Sequence, residues 1–170
     1  MTKTAPLSRS FTERTEVLMP NDTNYLGRAF GGRILEWMDV AAAVACRRFA
    51  ARQVVTARIE HVDFLAPIDA GDVVTVEAYV FDTGRTSLQV RATVSAEDPE
   101  AGEEWDVTTA FFTFVAVDDD ETPVPVPALE CPTEEQRSVR DRALEERRRH
   151  LESLLERVGT EADPGRGEDA

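Results

Sequence analysis

Lysine is almost missing from this chain. Lys3 is the only one, so 18 of the 19 basic residues are arginine, set against 33 Asp and Glu for a formal net charge of -14. No basic patch interleaved with aromatics occurs, and the arginines toward the C-terminus alternate with glutamates. That removes the electrostatic footprint of a nucleic-acid-binding protein. Cysteine and histidine are equally scarce. Cys46 and Cys131 are too few and too far apart for a disulfide framework or a closed zinc site, and His61 and His150 form no ligand cluster. Neither a metal nor a separately bound cofactor is expected. No run approaches the roughly 18 apolar residues of a membrane span, and the opening MTKTAPLSRSF carries no apolar signal segment. The expectation is a cytoplasmic protein without membrane or nucleic-acid partners. A G-x-S-x-G elbow, a G-x-G-x-x-G fingerprint and a Walker A loop are all missing, which sets aside the usual serine-hydrolase, dinucleotide and P-loop readings.

An acidic excess combined with almost no lysine suits a salt-rich cytoplasm. There the Debye length falls to about 3 Å at 1 M, and most self-repulsion is screened. GC-rich coding also favours arginine over lysine, but it does not create the acidic surplus. The composition predicts a halophilic, archaeal source.

At 170 residues the chain is long enough for one domain with a substantial core. Residues 1–10 read as a flexible lead-in, followed by a strand over Phe11–Met19 and a turn-rich stretch from Pro20 to Tyr25. From Gly31 to Phe49 the apolar residues Ile34, Leu35, Met38, Ala41, Ala42, Ala45 and Cys46 recur at helical spacing. Trp37, Val40 and Val44 widen the stripe, so this helix is expected to be surrounded. Strand signals follow over Val54–Leu65, Val73–Phe81, Thr86–Ser95 and Trp105–Val117. The last is apolar on both faces, as in a central strand. One helix with one strand before it and four after it predicts an α+β fold, an antiparallel sheet curled around a long central helix. Residues 11–131 would form that unit. After Pro132, Thr133 and Gln136 suggest a capping box that opens a C-terminal helix over 132–158. An acidic, disordered tail is expected over 159–170.

The stretch PNDTNYLGRAFGGRILEWMD, Pro20 to Asp39, concentrates the candidate chemistry. Asp39 is a carboxylate in an otherwise apolar helix. It either acts on a reacting group, as base or nucleophile, or simply faces water or pairs with Arg28 or Arg33. Asn24 either orients a carbonyl or a water, or satisfies its own turn. Gly31 and Gly32 either expose helix-start amides to a developing oxyanion or permit close packing. Arg85, Thr86 and Ser87 in the turn GRTS either bind phosphate or, for Arg85, bridge to Asp82. Arg58 and His61 are weaker candidates for anion contact, and Cys46 lacks a positioned histidine.

Four segments in consistent order carry a family resemblance: the Pro20–Asp39 stretch, VVTARIEHVDFLAPIDAGDVV, GRTSLQVRATV, and TTAFFTFVAVDDD with PVPVPAL. Over about residues 11 to 157 the chain resembles the hotdog-fold acyl-CoA thioesterases of the YciA-type and brain-type branch. The resemblance implies hydrolysis of a fatty or short acyl-CoA thioester to free acid and CoA, with CoA as part of the substrate and no further cofactor. It also implies a homodimer, often assembled as a trimer of dimers. Asn24 matches the family's catalytic asparagine, and Asp39 the helical aspartate contributed by the opposite subunit. Gly32 matches the region whose amide polarises the thioester carbonyl, while Arg85, Thr86 and Ser87 match a CoA-contacting turn. Asn21 departs from the histidine often found there in the bacterial branch. Brain-type enzymes fuse two hotdog units, so here two identical chains would supply both halves. A non-catalytic acyl-CoA sensor on the same fold is the alternative, though no helix-turn-helix segment accompanies it. A hydratase is disfavoured by the lone His61.

Overall fold

The computed structural model describes residues 3–60 and 62–161, with side chains as far as residue 156. Period-two alternation dictates its sheet. In β4 (Val73–Thr83), Val74, Val76, Ala78 and Val80 face one way. Leu88, Val90, Ala92 and Val94 do so in β5 (Ser87–Asp98), as do Ala110, Phe112, Phe114 and Ala116 in β6 (Glu103–Val117), and all are buried. With β2 (Thr12–Val17) and β3 (Gln53–Ile59) these strands form a five-stranded antiparallel sheet in the order β2-β4-β5-β6-β3.

The sheet wraps α1 (Gly31–Ala50), which buries Ile34, Trp37, Met38, Ala41, Ala42, Ala45, Cys46 and Phe49 against it. The alanines leave no bulk between helix and strands, so the backbones approach closely. Ala51 ends the helix in the left-handed region at φ 52°, its N–H donating to Arg47 O, and β3 begins two residues later. This is the hotdog arrangement.

The far face of the sheet is apolar as well. Tyr79, Phe81, Phe111 and Leu7 cluster there under Ala143, Val139 and Leu144 of α2 (Glu134–Glu161). Two arginine forks tie α2 down: Arg91 to Glu146 (2.6 and 3.2 Å) and Arg147 to both oxygens of Glu60, the latter carboxylate only 5% exposed. Removing the guanidinium from a carboxylate so buried costs about 3–5 kcal/mol. Thr133 Oγ1 accepts the Gln136 N–H at 3.2 Å, the forward half of the capping box. The Gln136 side-chain oxygen accepts nothing in return.

Four expectations are corrected. The flexible lead over residues 1–10 is ordered from residue 3 onward: β1 (Thr4–Pro6) pairs in parallel with β7 (Ala128–Glu130), and Ala5, Leu7 and Ser10 are buried. Its partner is far away in sequence, so no local pattern announces it. The strand foreseen over Val54–Leu65 stops at Ile59; beyond it regular pairing gives way to single bonds to β6, from the Glu60 N–H to Phe111 O, from the Leu65 N–H to Val107 O and from the Thr108 hydroxyl to Asp63 O. α2 continues to Glu161 rather than ending at 158, and the expected tail beyond it lies outside the described residues, as does His61. Finally, α1 is surrounded on only part of its circumference, since Val40 is 44% exposed.

Candidate active site

The loop before α1 closes on itself. Asn24 Oδ1 accepts the N–H groups of Leu26 (2.8 Å) and Arg28 (3.3 Å), the Asn24 N–H donates to Arg28 O (2.7 Å), and Gly27 takes φ 74° to make the turn. With the side-chain oxygen so engaged, the Asn24 NH₂ is the part of the amide left to donate outward. An Asp22–Arg33 pair at 2.7 Å fastens this loop to the first turn of α1.

That first turn begins without a side-chain cap, because its N-cap residue is Phe30. Arg33 and Ile34 donate to Phe30 O, which leaves the Gly31 and Gly32 N–H groups at the positive end of the helix dipole. The two glycines differ. A Cβ on Gly31 would stand 3.1 Å from the Phe64 ring, so this glycine serves packing; a Cβ on Gly32 would meet nothing. Asn24 and Gly31 line a cavity of about 320 Å³ whose remaining wall is mainly apolar: Leu26, Ala29, Ile34, Phe64, Ile68 and Val107. A polar rim over an apolar sac suits a chain with a carbonyl at its head.

Asp39 lies seven residues beyond Gly32, roughly 10 Å along the axis, and does not line that cavity. It is half-buried, and its Oδ1 accepts the Thr56 hydroxyl at 2.7 Å. Arg28 and Arg33 are taken by Asp69 and Asp22, so neither neutralises Asp39. Thr56 was not singled out from sequence. A hydroxyl among Val54, Val55 and Ile59 on a strand is a weak signal, and its facing could be read only with the register of β3 known. Cys46, two turns further along α1, is buried; burial first, and then the charge of Asp39, push its thiol far above the usual range.

Arg85 is exposed in the β4–β5 turn. Its side chain makes no hydrogen bond or ion pair among the described residues, and Asp82 pairs with Arg140 at 3.6 Å instead. Thr86 O accepts the Ala116 N–H and Ser87 stands opposite Val115, while Thr56 pairs with Phe114 across β6. The turn thus shares one end of the sheet with Asp39 and Thr56. Asn24, Gly31 and Gly32 lie at the start of α1, about two helical turns before Asp39, where the cavity wall includes Val107 of β6. Among the described residues no group of three or more His, Cys, Asp or Glu side chains is arranged to hold a metal, and no helix is long and apolar enough to cross a membrane.

A sheet curled round a helix that starts in bare amides and carries an aspartate defines a class, the hotdog-fold thioesterases. A family model described as the thioesterase superfamily matches residues 26–103. The uncharacterized acyl-CoA thioester hydrolase YkhA of Bacillus subtilis is 36% identical over 154 residues, 87% of this chain and 90% of its own length. YciA of Escherichia coli is 37% identical over 113 residues, 64% of this chain and 85% of its own. The chain belongs to the YciA-type branch of the hotdog acyl-CoA thioesterases.

Among solved structures, an apo-hexameric acyl-CoA thioesterase superposes with a TM-score of 0.79 at 37% identity, covering 89% of this chain and 97% of that one. The acyl-CoA hydrolase of Staphylococcus aureus, solved with butyryl-CoA, CoA and CoA disulfide, gives 0.77 at 29% identity over 92% and 96%. Alanine variants of that hydrolase at an asparagine, an aspartate and a threonine have also been solved, and those residues are spaced 15 and 17 positions apart. Asn24, Asp39 and Thr56 have the same spacings.

Because its thiol ionises so reluctantly, Cys46 should resist alkylation in the native protein near pH 8 and react only on unfolding, with thiol titration in the presence and absence of denaturant as the check. Its raised folded pKa means that above about pH 9 the unfolded chain alone gives up this proton. Its contribution to stability should therefore fall as pH rises through that value.

Proposed function

We propose that the protein hydrolyses acyl-CoA thioesters at a site shared by two copies of the chain, with Asn24 and the Gly32 amide from one and Asp39, set by Thr56, from the other. The observation that carries this reading is that Asp39 and its partner Thr56 line no part of the cavity that holds Asn24 and Gly31, and lie about two helical turns, roughly 10 Å, further along α1. The acyl chain enters the apolar cavity below Asn24. The Gly32 N–H and the helix dipole meet the oxygen of the thioester carbonyl, an arrangement of a kind whose single donors are worth about 3 kcal/mol in other hydrolases. Asp39 takes a proton from water as the water oxygen bonds to the carbonyl carbon, or attacks that carbon itself to give, once CoA has left, an anhydride that water then cleaves to the free acid and the regenerated carboxylate. Collapse of the tetrahedral centre breaks the C–S bond, and the CoA thiolate leaves and is protonated. The Asn24 NH₂ orients the water or the carbonyl.

The two sheet edges support pairing through β3. β2 carries Glu13, Arg14 and Glu16, charged residues that keep an edge strand single, and exposes Val17 only at its end. β3 carries one charge, Arg58, and exposes Val55 and Ile59, at 46% and 42%, beside the open Val40. Antiparallel pairing of two β3 strands would cover this strip and close Asp39 and Thr56 under the partner. A trimer of such dimers is the further assembly we propose, in line with the hexameric relative. Arg85, with Thr86 and Ser87, would contact CoA phosphates outside the acyl pocket. The acidic, arginine-rich composition supports a salt-rich, archaeal cytoplasm as the working environment. A sensor that binds acyl-CoA without cleaving it would leave Asp39 and its threonine unused.

Thiol release from acyl-CoA esters tests the reading. Asp39→Asn should keep the wild-type sedimentation coefficient and lose roughly 10²-fold or more in kcat; an assembled variant with near-wild-type turnover would sink the assignment. Arg85→Ala should raise KM more than it lowers kcat, and the difference should vanish with a substrate stripped of its phosphates. If the composition is a salt adaptation, Tm should climb steadily between about 0.1 M and about 2 M KCl as repulsion is screened, whereas a flat profile would point to coding bias.

A further inference from the structure

We infer that Arg147, on the outer helix α2, is a positioning residue for the reaction: by holding Glu60 it fixes the register of the bulged strand β3 and so keeps Thr56 against Asp39. This rests on the thioesterase reading above.

The basis is the pairing of β3 with β6. Val54, Val55 and Thr56 stand opposite Ala116, Val115 and Phe114, but Arg58 and Ile59 stand opposite Thr113 and Phe112, so Ala57 is an extra residue. On β6 the even-numbered residues Ala110 to Ala116 face α1, and Phe111 faces α2. Cross-strand partners share a face. Ahead of the bulge, Thr56 therefore points inward, where its hydroxyl reaches Asp39. Behind it, Glu60 bonds its N–H to Phe111 O at 2.9 Å and points outward, where Arg147 holds it. A regular strand would send Thr56 and Glu60, four residues apart, to the same face, and a carboxylate would be driven toward Ala110 in the apolar core.

One inserted residue thus lets a single short strand serve two masters on opposite faces. Such an insertion can shift along a strand, and a shift of one residue turns every side chain it passes to the other face. Moving the bulge ahead of Thr56 would carry its hydroxyl away from Asp39. What opposes that shift on the outer side is the fork of Arg147 on a carboxylate only 5% exposed, anchored in a helix that also packs over Phe81 and Phe111. The second fork, Arg91 to Glu146, fastens the same helix to β5 and touches β3 nowhere. It is a built-in control.

The experiment compares Arg147→Ala, Arg147→Lys, Arg91→Ala, Thr56→Ala and the double variant Arg147→Ala/Thr56→Ala in the full chain, each with the wild-type sedimentation coefficient, by kcat, KM and amide hydrogen exchange. Arg147→Ala should lower kcat roughly ten- to hundredfold, as expected for a displaced catalytic group, with KM changed less than about twofold. Arg147→Lys keeps the charge without the fork, folds more readily, and should show the same loss in smaller measure. Exchange should quicken across Val55–Ile59 in both. Thr56→Ala should lower kcat by itself, and adding Arg147→Ala to it should cost nothing further. Arg91→Ala should leave kcat and β3 exchange alone. The inference is overturned if the Arg147 variants keep wild-type kcat, if their loss is undiminished in the Thr56→Ala background, or if Arg91→Ala reproduces it. Absence of thiol release by the wild-type chain would instead bring down the thioesterase reading, while the exchange comparison would still decide whether Arg147 pins β3.

Discussion

A sheet with two apolar faces must be covered twice, and everything else in this molecule follows from how that is done. Phe112 and Phe114 of β6 press inward on α1 while Phe111 between them presses outward under α2. Both helices are therefore obligatory, one enclosed and one laid outside. Among the apolar surfaces the two helices leave uncovered are the β3 edge and the flank of α1 at Val40. Asp39 sits beside that gap. Its carboxylate is half-buried rather than engulfed because the chain alone leaves this side open, which is why a charge is tolerated in a helix otherwise lined by alanine, methionine and phenylalanine.

The chemistry is divided by the same geometry. A helix of 20 residues is about 30 Å long, so its amide terminus and its middle serve different neighbourhoods. Its start meets the Asn24 loop and an apolar cavity; its middle meets Thr56. A single chain has the donors at the helix start and the carboxylate with its aligning hydroxyl at the helix middle. Symmetry would answer this: in the pairing proposed above, an antiparallel two-fold along β3 would bring one chain's start toward the other's middle, and would do so twice.

Much of this was legible in the residues. Strict alternation in β4 and β5 and the three- and four-residue spacing in α1 are local signals, and their elements fall where those signals place them. Asn24, Asp39 and the glycine pair stand out because a turn amide, a stray charge and bare helix amides are chemically conspicuous. The features that escaped are non-local. β1 is three residues whose partner comes near the far end of the chain. Thr56 is ordinary as a residue and becomes significant only through a bulge that no periodicity reveals. The Glu60–Arg147 fork joins positions 87 residues apart. Patterns report which face a residue prefers; they do not report a register that tertiary contacts impose.

Electrostatics adds one last constraint. A chain of net charge -14 repels a phosphate-bearing substrate over a Debye length, about 10 Å at 0.1 M salt and about 3 Å at 1 M. Many surface arginines cannot offset this, since Arg14, Arg28, Arg33, Arg137 and Arg148 among others are each held by an acidic neighbour. Arg85, like the exposed Arg47, Arg52, Arg58 and Arg142, has no ion pair among the described residues, and it stands in its turn with Asp82 drawn away by Arg140. A cation left unpaired on so acidic a surface stands out as a place where an anion gains attraction without first displacing a carboxylate. Its worth grows as the repulsive background is screened more strongly than a contact pair is. In concentrated salt the general field fades while a guanidinium touching a phosphate retains its hydrogen bonds, so an acidic thioesterase can carry its solubilising charge and still hold CoA through a few local contacts.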